Sequence, residues 1–401
     1  MSDPLPPCPA QWLTVIGIGE DGLAGLPREA TEALRNADIV FGGARHLELA
    51  GIGARGRTWP VPFTLAPVLT ERGKRVAVLV SGDPFWFGAG SLIAQALPRE
   101  EWLAFPAPST FSLAAARLGW ALEDTPCHAL HASPFETILL DLTHGARLIA
   151  LMRDGAAPAA LAEWLKTRGF GASRLHVLEC LGGNRERIRI ATADNFTLAD
   201  IVAPVAVAIE AQGGPALART PGLPDSLFAH DGQITKAAAR ALTLAALGPR
   251  QGEILWDLGA GSGSISVEWC LAGGGSAVAV ERRADRAANI TENARRFGLV
   301  KRIALVEGDA PHCLRELEPP HAVFIGGGAN DALLDVLWSR LPAGTRLVAN
   351  AVTLETESLL MRWSEAKGGS LLRIELAEAA PLGSMRGWQP ARPLVQWSVT
   401  R

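Results

Sequence analysis

The residues with the clearest chemical potential are Asp257-Leu258-Gly259-Ala260-Gly261-Ser262-Gly263 and, further on, the acid Glu281. The run Glu253-Ile254-Leu255-Trp256-Asp257 reads as a buried strand, the three glycines as a tight turn, and 264–270 as the start of a helix. A backbone without β-carbons at the carboxyl end of a strand lets a ligand approach the main chain closely. The next apolar run, 277–280, ends in Glu281, 24 positions after Asp257 (281 − 257). A carboxylate there accepts hydrogen bonds from two ribose hydroxyls, so the two strands predict a nucleoside-binding crevice. The glycine pattern is G-x-G-x-G, because the sixth position from Gly259 is Ser264. A dinucleotide fingerprint has a third glycine at that point, which lets the helix close on a pyrophosphate. With 42 glycines in 401 residues, a plain glycine turn competes with this reading. The ordered succession of strand, turn, helix, strand and acid argues against it.

A second candidate lies in Val80-Ser81-Gly82-Asp83-Pro84-Phe85-Trp86-Phe87-Gly88. A strand ending in Gly-Asp-Pro makes a tight polar turn that brings backbone groups and a carboxylate against a ligand. Alone it is only a turn signal.

Elements that would position these residues follow from periodicity. From 11 to 210 short apolar strands alternate with amphipathic helices, with strands expected at 13–18, 39–41, 76–80, 148–152, 175–178 and 205–209. Parallel pairs need helical crossovers, so the class is α/β. Residues 211–225 are rich in Gly and Pro with no period of either kind, and read as a linker. Thr235 then reads as an N-cap with a helix over 236–247, stopped by Gly248-Pro249. Strands are expected at 302–307 before Gly308-Asp309-Ala310, at 322–325 before Gly326-Gly327-Gly328, at 346–350 and at 394–399. At these strand ends Asp309 or the Ala310 amide would reach an adenine edge, and Gly326 would sit beside the reacting group. The G-x-G-x-G loop resembles the cofactor loop of Rossmann-like S-adenosylmethionine-dependent methyltransferases, and that resemblance implies these strand-end roles. Phe324-Ile325-Gly326-Gly327-Gly328 lacks the Asn/Asp-Pro-Pro-aromatic cluster of the members that methylate exocyclic amines of bases, so that substrate is not expected.

Net charge is −3, which does not predict a basic face for nucleic acid. Cys8, Cys127, Cys180, Cys270 and Cys313 are odd in number and form no C-x-x-C pair, so neither a disulfide framework nor a metal site is expected. The start Met1-Ser2-Asp3-Pro4 has no basic and apolar leader, and no uncharged apolar run reaches about 18 residues. A cytoplasmic protein without a membrane partner is expected.

The second half resembles the decarboxylating carbon-15 methyltransferase domain of cobalamin biosynthesis. The likeness is carried by Gly232-Gln233-Ile234-Thr235-Lys236, Trp256 through Ser264, Ala279-Val280-Glu281-Arg282, Gly308-Asp309-Ala310-Pro311, Val323-Phe324-Ile325-Gly326-Gly327 and Val348 through Glu355. It implies that Thr235, Gly259, Ala260, Gly261, Ser262, Gly263, Glu281 and Ala310 contact S-adenosylmethionine, with Asp257, Asp309 and Gly326 in the same crevice. The first half resembles the tetrapyrrole methylase family, in particular its branch that methylates carbon 5 of precorrin. Gly17-Ile18-Gly19, Gly42-Gly43-Ala44-Arg45-His46-Leu47, Ser81 through Gly88, Pro106 through Phe111, Ala115 through Trp120 and Glu179 through Ile188 carry that likeness. By position Ser81, Gly82, Asp83, Ser109, Thr110 and Met152 would line a cofactor cleft between two α/β subdomains. Glu20-Asp21-Gly22 and His131-Ala132-Ser133 depart from the family's usual Pro-Gly-Asp and His-Gly-Arg.

Together the resemblances imply an N-terminal two-subdomain tetrapyrrole methylase fold over 11–210 and a C-terminal Rossmann-like methyltransferase domain over 226–401. Each would use one S-adenosylmethionine on a small-molecule tetrapyrrole, in an expected homo-oligomer. The implied enzyme methylates carbons 5 and 15 and decarboxylates the ring C acetate. A polycarboxylate substrate needs cations, and the candidates are Arg45, His46, Arg117, Lys236, Arg240 and Arg386, the last in the glycine-bearing loop 383–387. Two other readings are a chain with only its second domain active, the first holding substrate, and a non-enzymatic tetrapyrrole carrier.

Overall fold

Short Val, Ile, Leu and Ala runs without polar alternation suit strands covered on both faces. The computed structural model describes residues 11–401 and assembles such runs into three main sheets. Cys8 and the segment from Met1 to Pro4 lie outside the described residues. The chain divides into two units, one running to Ser133 and resuming over Asp141–Pro215, the other made of Pro134–Leu140 and Ala216–Arg401.

In the first unit, β1 (Leu13–Ile18), β2 (Ile39–Gly42), β3 (Gly56–Thr58), β4 (Val76–Ser81) and β5 (Trp102–Phe105) form a parallel sheet in the order β3-β2-β4-β1-β5. Its two centre strands are almost wholly buried and place their carboxyl ends side by side, with Ile18 level with Ser81. A second sheet of β6 (Cys127–Ala129), β7 (Arg147–Leu151), β8 (Arg174–Glu179), β9 (Arg187–Thr192) and β10 (Val205–Glu210) runs β6-β7-β10-β8-β9. Only β6 and β7 pair parallel there. The helix Thr110–Leu118, capped by the Ser109 hydroxyl on Ser112 N–H at 3.1 Å, packs Phe111, Ala114 and Ala115 onto it.

The second unit holds β11 (Ile254–Leu258), β12 (Ser276–Glu281), β13 (Ile303–Glu307), β14 (Ala322–Ile325), β15 (Arg346–Ala351) and β16 (Ser370–Ile374). A hairpin of β17 (Ala377–Leu382) and β18 (Met385–Pro390) precedes β19 (Leu394–Thr400). The seven-stranded order is β13-β12-β11-β14-β15-β19-β16, parallel through β15 and antiparallel around β19. The chain leaves β11 outward to β12 and β13, then returns to β14 on the other side of β11. That reversal opens a crevice at the strands' carboxyl ends.

Two expectations change here. The stretch 216–225 belongs to the second unit rather than to a free linker. Leu217 and Leu223 pack on its core, and the Gly222 and Leu223 amides donate to Glu268 at 2.7 and 3.0 Å. Backbone amides anchor it, so no side-chain period betrays it. Thr235 is not the N-cap of the next helix, which spans Ala237–Leu247 with Lys236 at its cap and no side-chain capping bond. The Thr235 carbonyl instead accepts from Arg240. Among the described residues, no helix is long and apolar enough to cross a membrane.

Candidate functional site

The second unit's crevice is a cavity of about 370 Å³ at the ends of β11, β12, β13 and β14. Gly259, Glu281, Asp309, Ala310 and Gly326 line it. Gly259 has φ +68, and a β-carbon there would lie 2.7 Å from the Gly327 carbonyl oxygen, so the loops after β11 and β14 meet only because neither carries bulk. Glu281 is 5% exposed. Its Oε2 accepts from Gly261 N–H at 2.9 Å and its Oε1 from Arg283 N–H at 3.0 Å. A carboxylate has about four lone-pair sites, so two remain for a ligand.

The rest of the glycine loop supports the cavity without lining it. Gly263 takes the left-handed conformation at the start of the helix Ser264–Leu271. Ser262 is buried, with its carbonyl accepting from Asn293 Nδ2 at 2.8 Å. Ala260 packs against the core, and Gly261 points its amide at Glu281. Asp257 is fully buried below the loop, where Oδ2 accepts from the Ser266 amide at 3.2 Å and hydroxyl at 2.7 Å. Its Oδ1 has no partner among the described residues. Burial, opposed by the Ser266 bonds and assisted by the Glu281 charge, pushes its carboxyl from 3.8 to about 6.

Of the cations named for the substrate, Arg240 cannot reach one. Its side chain is 0% exposed; it donates to Glu268 at 2.6 Å, to Asp225 at 3.2 Å, and to the Thr235 and Leu223 carbonyls. Lys236 is exposed and paired with Asp225 at 3.2 Å, and Arg386 lies on β18; neither lines the cavity. The cavity's own cations are Arg282, Arg283 and Arg286, with Gln233 and Asn330 as further polar neighbours. Arg286 donates to Asp231 at 2.9 Å and to Gln233, tying the segment before the first helix of the unit to the rim. The sequence signal for these cations was the basic run directly after Glu281. It reads as a solvated helix start unless the strand end is known to face a ligand.

The first unit carries a cleft of about 340 Å³ lined by the end of β4, the start of the helix Thr110–Leu118, the end of β7 and the start of β10. A β-carbon on Gly17 would sit 1.9 Å from the Gly82 carbonyl oxygen and 2.7 Å from Ala107 N, so three strand-end loops touch backbone to backbone. His46, Ser81, Ser109, Thr110 and Met152 line the cleft together with Trp59, Trp86, Phe87, Phe111 and His131. Gly82 and Arg45 line a smaller adjoining recess with Glu20. Arg45 is paired with Glu20, and its Nη2 donates to His46 Nε2 at 2.9 Å and Ser81 Oγ at 3.1 Å. His46 Nε2 and Ser81 Oγ are 2.8 Å apart. Because guanidinium only donates, His46 Nε2 is an acceptor and the ring is neutral with its proton on Nδ1. Burial first, and the Arg45 charge next, hold that imidazole at about 4. Asp83 lines neither recess, since its Oδ1 accepts from Phe85 N–H at 2.8 Å within its own turn. Arg117 is likewise engaged, bidentate with Glu186 at 2.6 and 3.0 Å.

Each unit thus carries a cavity at its strand ends, the second beside the buried carboxylate of Glu281, and comparison with known proteins makes the chain a methyltransferase. Residues 13–197 match the family of tetrapyrrole (corrin/porphyrin) methylases, and residues 226–401 match the precorrin methyltransferase domain. A protein named precorrin-6Y C(5,15)-methyltransferase [decarboxylating] from Sinorhizobium sp is 47% identical over 100% of this chain and 99% of its own length. One of the same name from Mycobacterium tuberculosis is 39% identical over 97% of this chain and all of its own. The solved C-terminal domain of precorrin-6Y C5,15-methyltransferase from Rhodobacter capsulatus is 59% identical, covering 46% of this chain and 100% of that one, with a TM-score of 0.45. The chain belongs to the precorrin-6Y C5,15-methyltransferase (decarboxylating) family.

Proposed function

We propose that the chain transfers two methyl groups from S-adenosylmethionine to a precorrin macrocycle, at carbons 5 and 15, and removes carbon dioxide from the ring C acetate. Each unit holds one cofactor in this reading, in the cytoplasm, and each works on the same small tetrapyrrole. The observation that carries it is the pairing of a glycine-built cradle with polar side chains at the strand ends of each unit separately. Relatives named for both methylations match over the full chain, which disfavours a passive first unit or a mere carrier.

The cofactor supplies, when bound, a methyl group already activated by its sulfonium. The residues therefore align, desolvate and steady charge, and no covalent link to the protein is required. Glu281, fixed by two backbone amides, takes the ribose hydroxyls. Ser81, held by His46 and Arg45, and Thr110 orient the ligand in the first cleft. Arg282, exposed at the second cavity, is placed to hold an acetate or propionate. In decarboxylation the acetate carbon–carboxyl bond breaks, its electron pair enters the conjugated imine system, and a proton replaces the carbon dioxide that leaves.

Incubation of the chain with precorrin-6Y and cofactor, followed by mass spectrometry, tests this directly. The expected product has gained two methyl groups and lost one carbon dioxide. A product with one methyl group, or with its acetate intact, contradicts it.

A further inference from the structure

The turn after β4 holds a bulky residue where the backbone resists one. Phe87 has φ +57, in the left-handed region that β-carbons disfavour. The turn has no slack to relax it. A β-carbon on Gly88 or on Gly90 would lie 2.6 Å from the Pro84 carbonyl oxygen, and the Gly90 amide already donates to that oxygen at 2.9 Å. Asp83 pins the other side, accepting from the Phe85 amide through its carboxylate and from the Trp86 amide through its carbonyl. The strain is not repaid by burial, because Phe87 remains 55% exposed and its neighbour Trp86 37% exposed. Both rings rest on the buried Phe111, with centroids 5.9 and 5.0 Å away, and both line the first cleft. Strained, exposed and rigidly held residues cluster where a ligand is met.

Cleft size decides which part of the ligand set they meet. At about 340 Å³ the cleft lies near the bottom of the ~300–1,000 Å³ range that accommodates one small molecule. A cofactor lodged against Ser81, Thr110 and Met152 leaves no room inside for a macrocycle, which must lie across the mouth. Planar conjugated rings gain most from flat, rigid aromatic faces, which lose little entropy on contact.

We infer that Trp86 and Phe87 form an aromatic platform on which one face of the conjugated macrocycle seats for the first-unit methylation. The platform rests on the function proposed above. It adds a selection by ring planarity to whatever selection the cations make by carboxylates.

The test uses the full chain and its Phe87→Asn and Phe87→Tyr variants, with precorrin-6Y as substrate. Asparagine tolerates the left-handed backbone, so the first unit's thermal midpoint stays within about 2 °C of wild type or rises. Affinity for S-adenosylhomocysteine is unchanged, whereas kcat/KM for the carbon-5 methylation falls by about tenfold or more, chiefly through KM. Phe87→Tyr keeps the ring and stays near wild type. The platform is overturned if Phe87→Asn leaves kcat/KM unaltered. It is equally overturned if that variant lowers the midpoint by many degrees, which marks a packing role, or weakens S-adenosylhomocysteine binding in parallel, which places the rings against adenine. A wild-type chain that transfers no methyl group to the macrocycle refutes the proposed function instead.

Discussion

Replacing Arg240 with methionine removes one half of a buried ion pair and leaves the other in place. The Arg240 and Glu268 side chains are 0% and 1% exposed and 2.6 Å apart. Glu268 would keep only the Gly222 and Leu223 amides, while the Leu223 and Thr235 carbonyls would each lose a donor. An uncompensated buried charge of this kind costs about 3–5 kcal/mol. For a unit of this size each kcal/mol moves the midpoint by about 2–4 °C, so the second-unit transition should drop by about 6–20 °C. Scanning calorimetry of the full chain reads this, with the first-unit transition as an internal reference. Arg240→Met/Glu268→Gln, which removes both charges, should recover at least about 2 kcal/mol of the loss. Removing the surface pair Arg283–Asp285, exposed 49% and 59%, should leave the second-unit transition nearly where it is, because solvent screens both charges. A loss below about 1 kcal/mol for Arg240→Met, or a double variant worse than the single, would refute the view that this pair holds 216–225 onto the unit.

A fragment starting at 216 should fold and bind cofactor, whereas one starting at 226 lacks Leu223 and the amides held by Glu268, and should melt lower by several degrees; equal melting would place the boundary where composition suggested. Glu281→Gln removes the charge proposed to face the ribose and should weaken the second site by about 100-fold, or about 3 kcal/mol, while leaving the first site intact; calorimetric titration with S-adenosylhomocysteine measures it. Asp257 is an acid whose folded value, about 6, lies above its ordinary 3.8, so its ionisation penalises the fold fully above pH 6 and not below pH 3.8. The shift, 6 − 3.8, corresponds to about 3 kcal/mol. Relative to Asp257→Asn, wild type should therefore gain about 2 kcal/mol as the pH falls from 7 to 4, and parallel stability curves would contradict the burial argument.

Many of the core strands could be read from composition because parallel strands covered on both faces are nearly unbroken apolar runs. β1, β4, β11 and β12 are of this kind, and each ends at a glycine or an acid where the chain turns into a cavity. Strands that lie at an edge or alternate weakly escaped, among them β3, β9 and the β17–β18 hairpin, whose residues are largely exposed. Within the sites, backbone-driven features were visible, since only glycine permits the contacts at Gly17 and Gly259. Side-chain fate was not. Arg240 and Lys236 look alike in sequence, yet one is sealed against Glu268 and the other lies in solvent, a difference set by tertiary packing of 216–225. Asp83 and Asp257 were read as facing a ligand because they flank glycines. Local amides and a serine hydroxyl hold them instead.

The most direct measurement is the number of S-adenosylhomocysteine molecules bound per full-length chain at equilibrium. Two independent sites, one per unit, are expected. A stoichiometry of one in the wild-type chain would contradict a methyl-donor site in each unit.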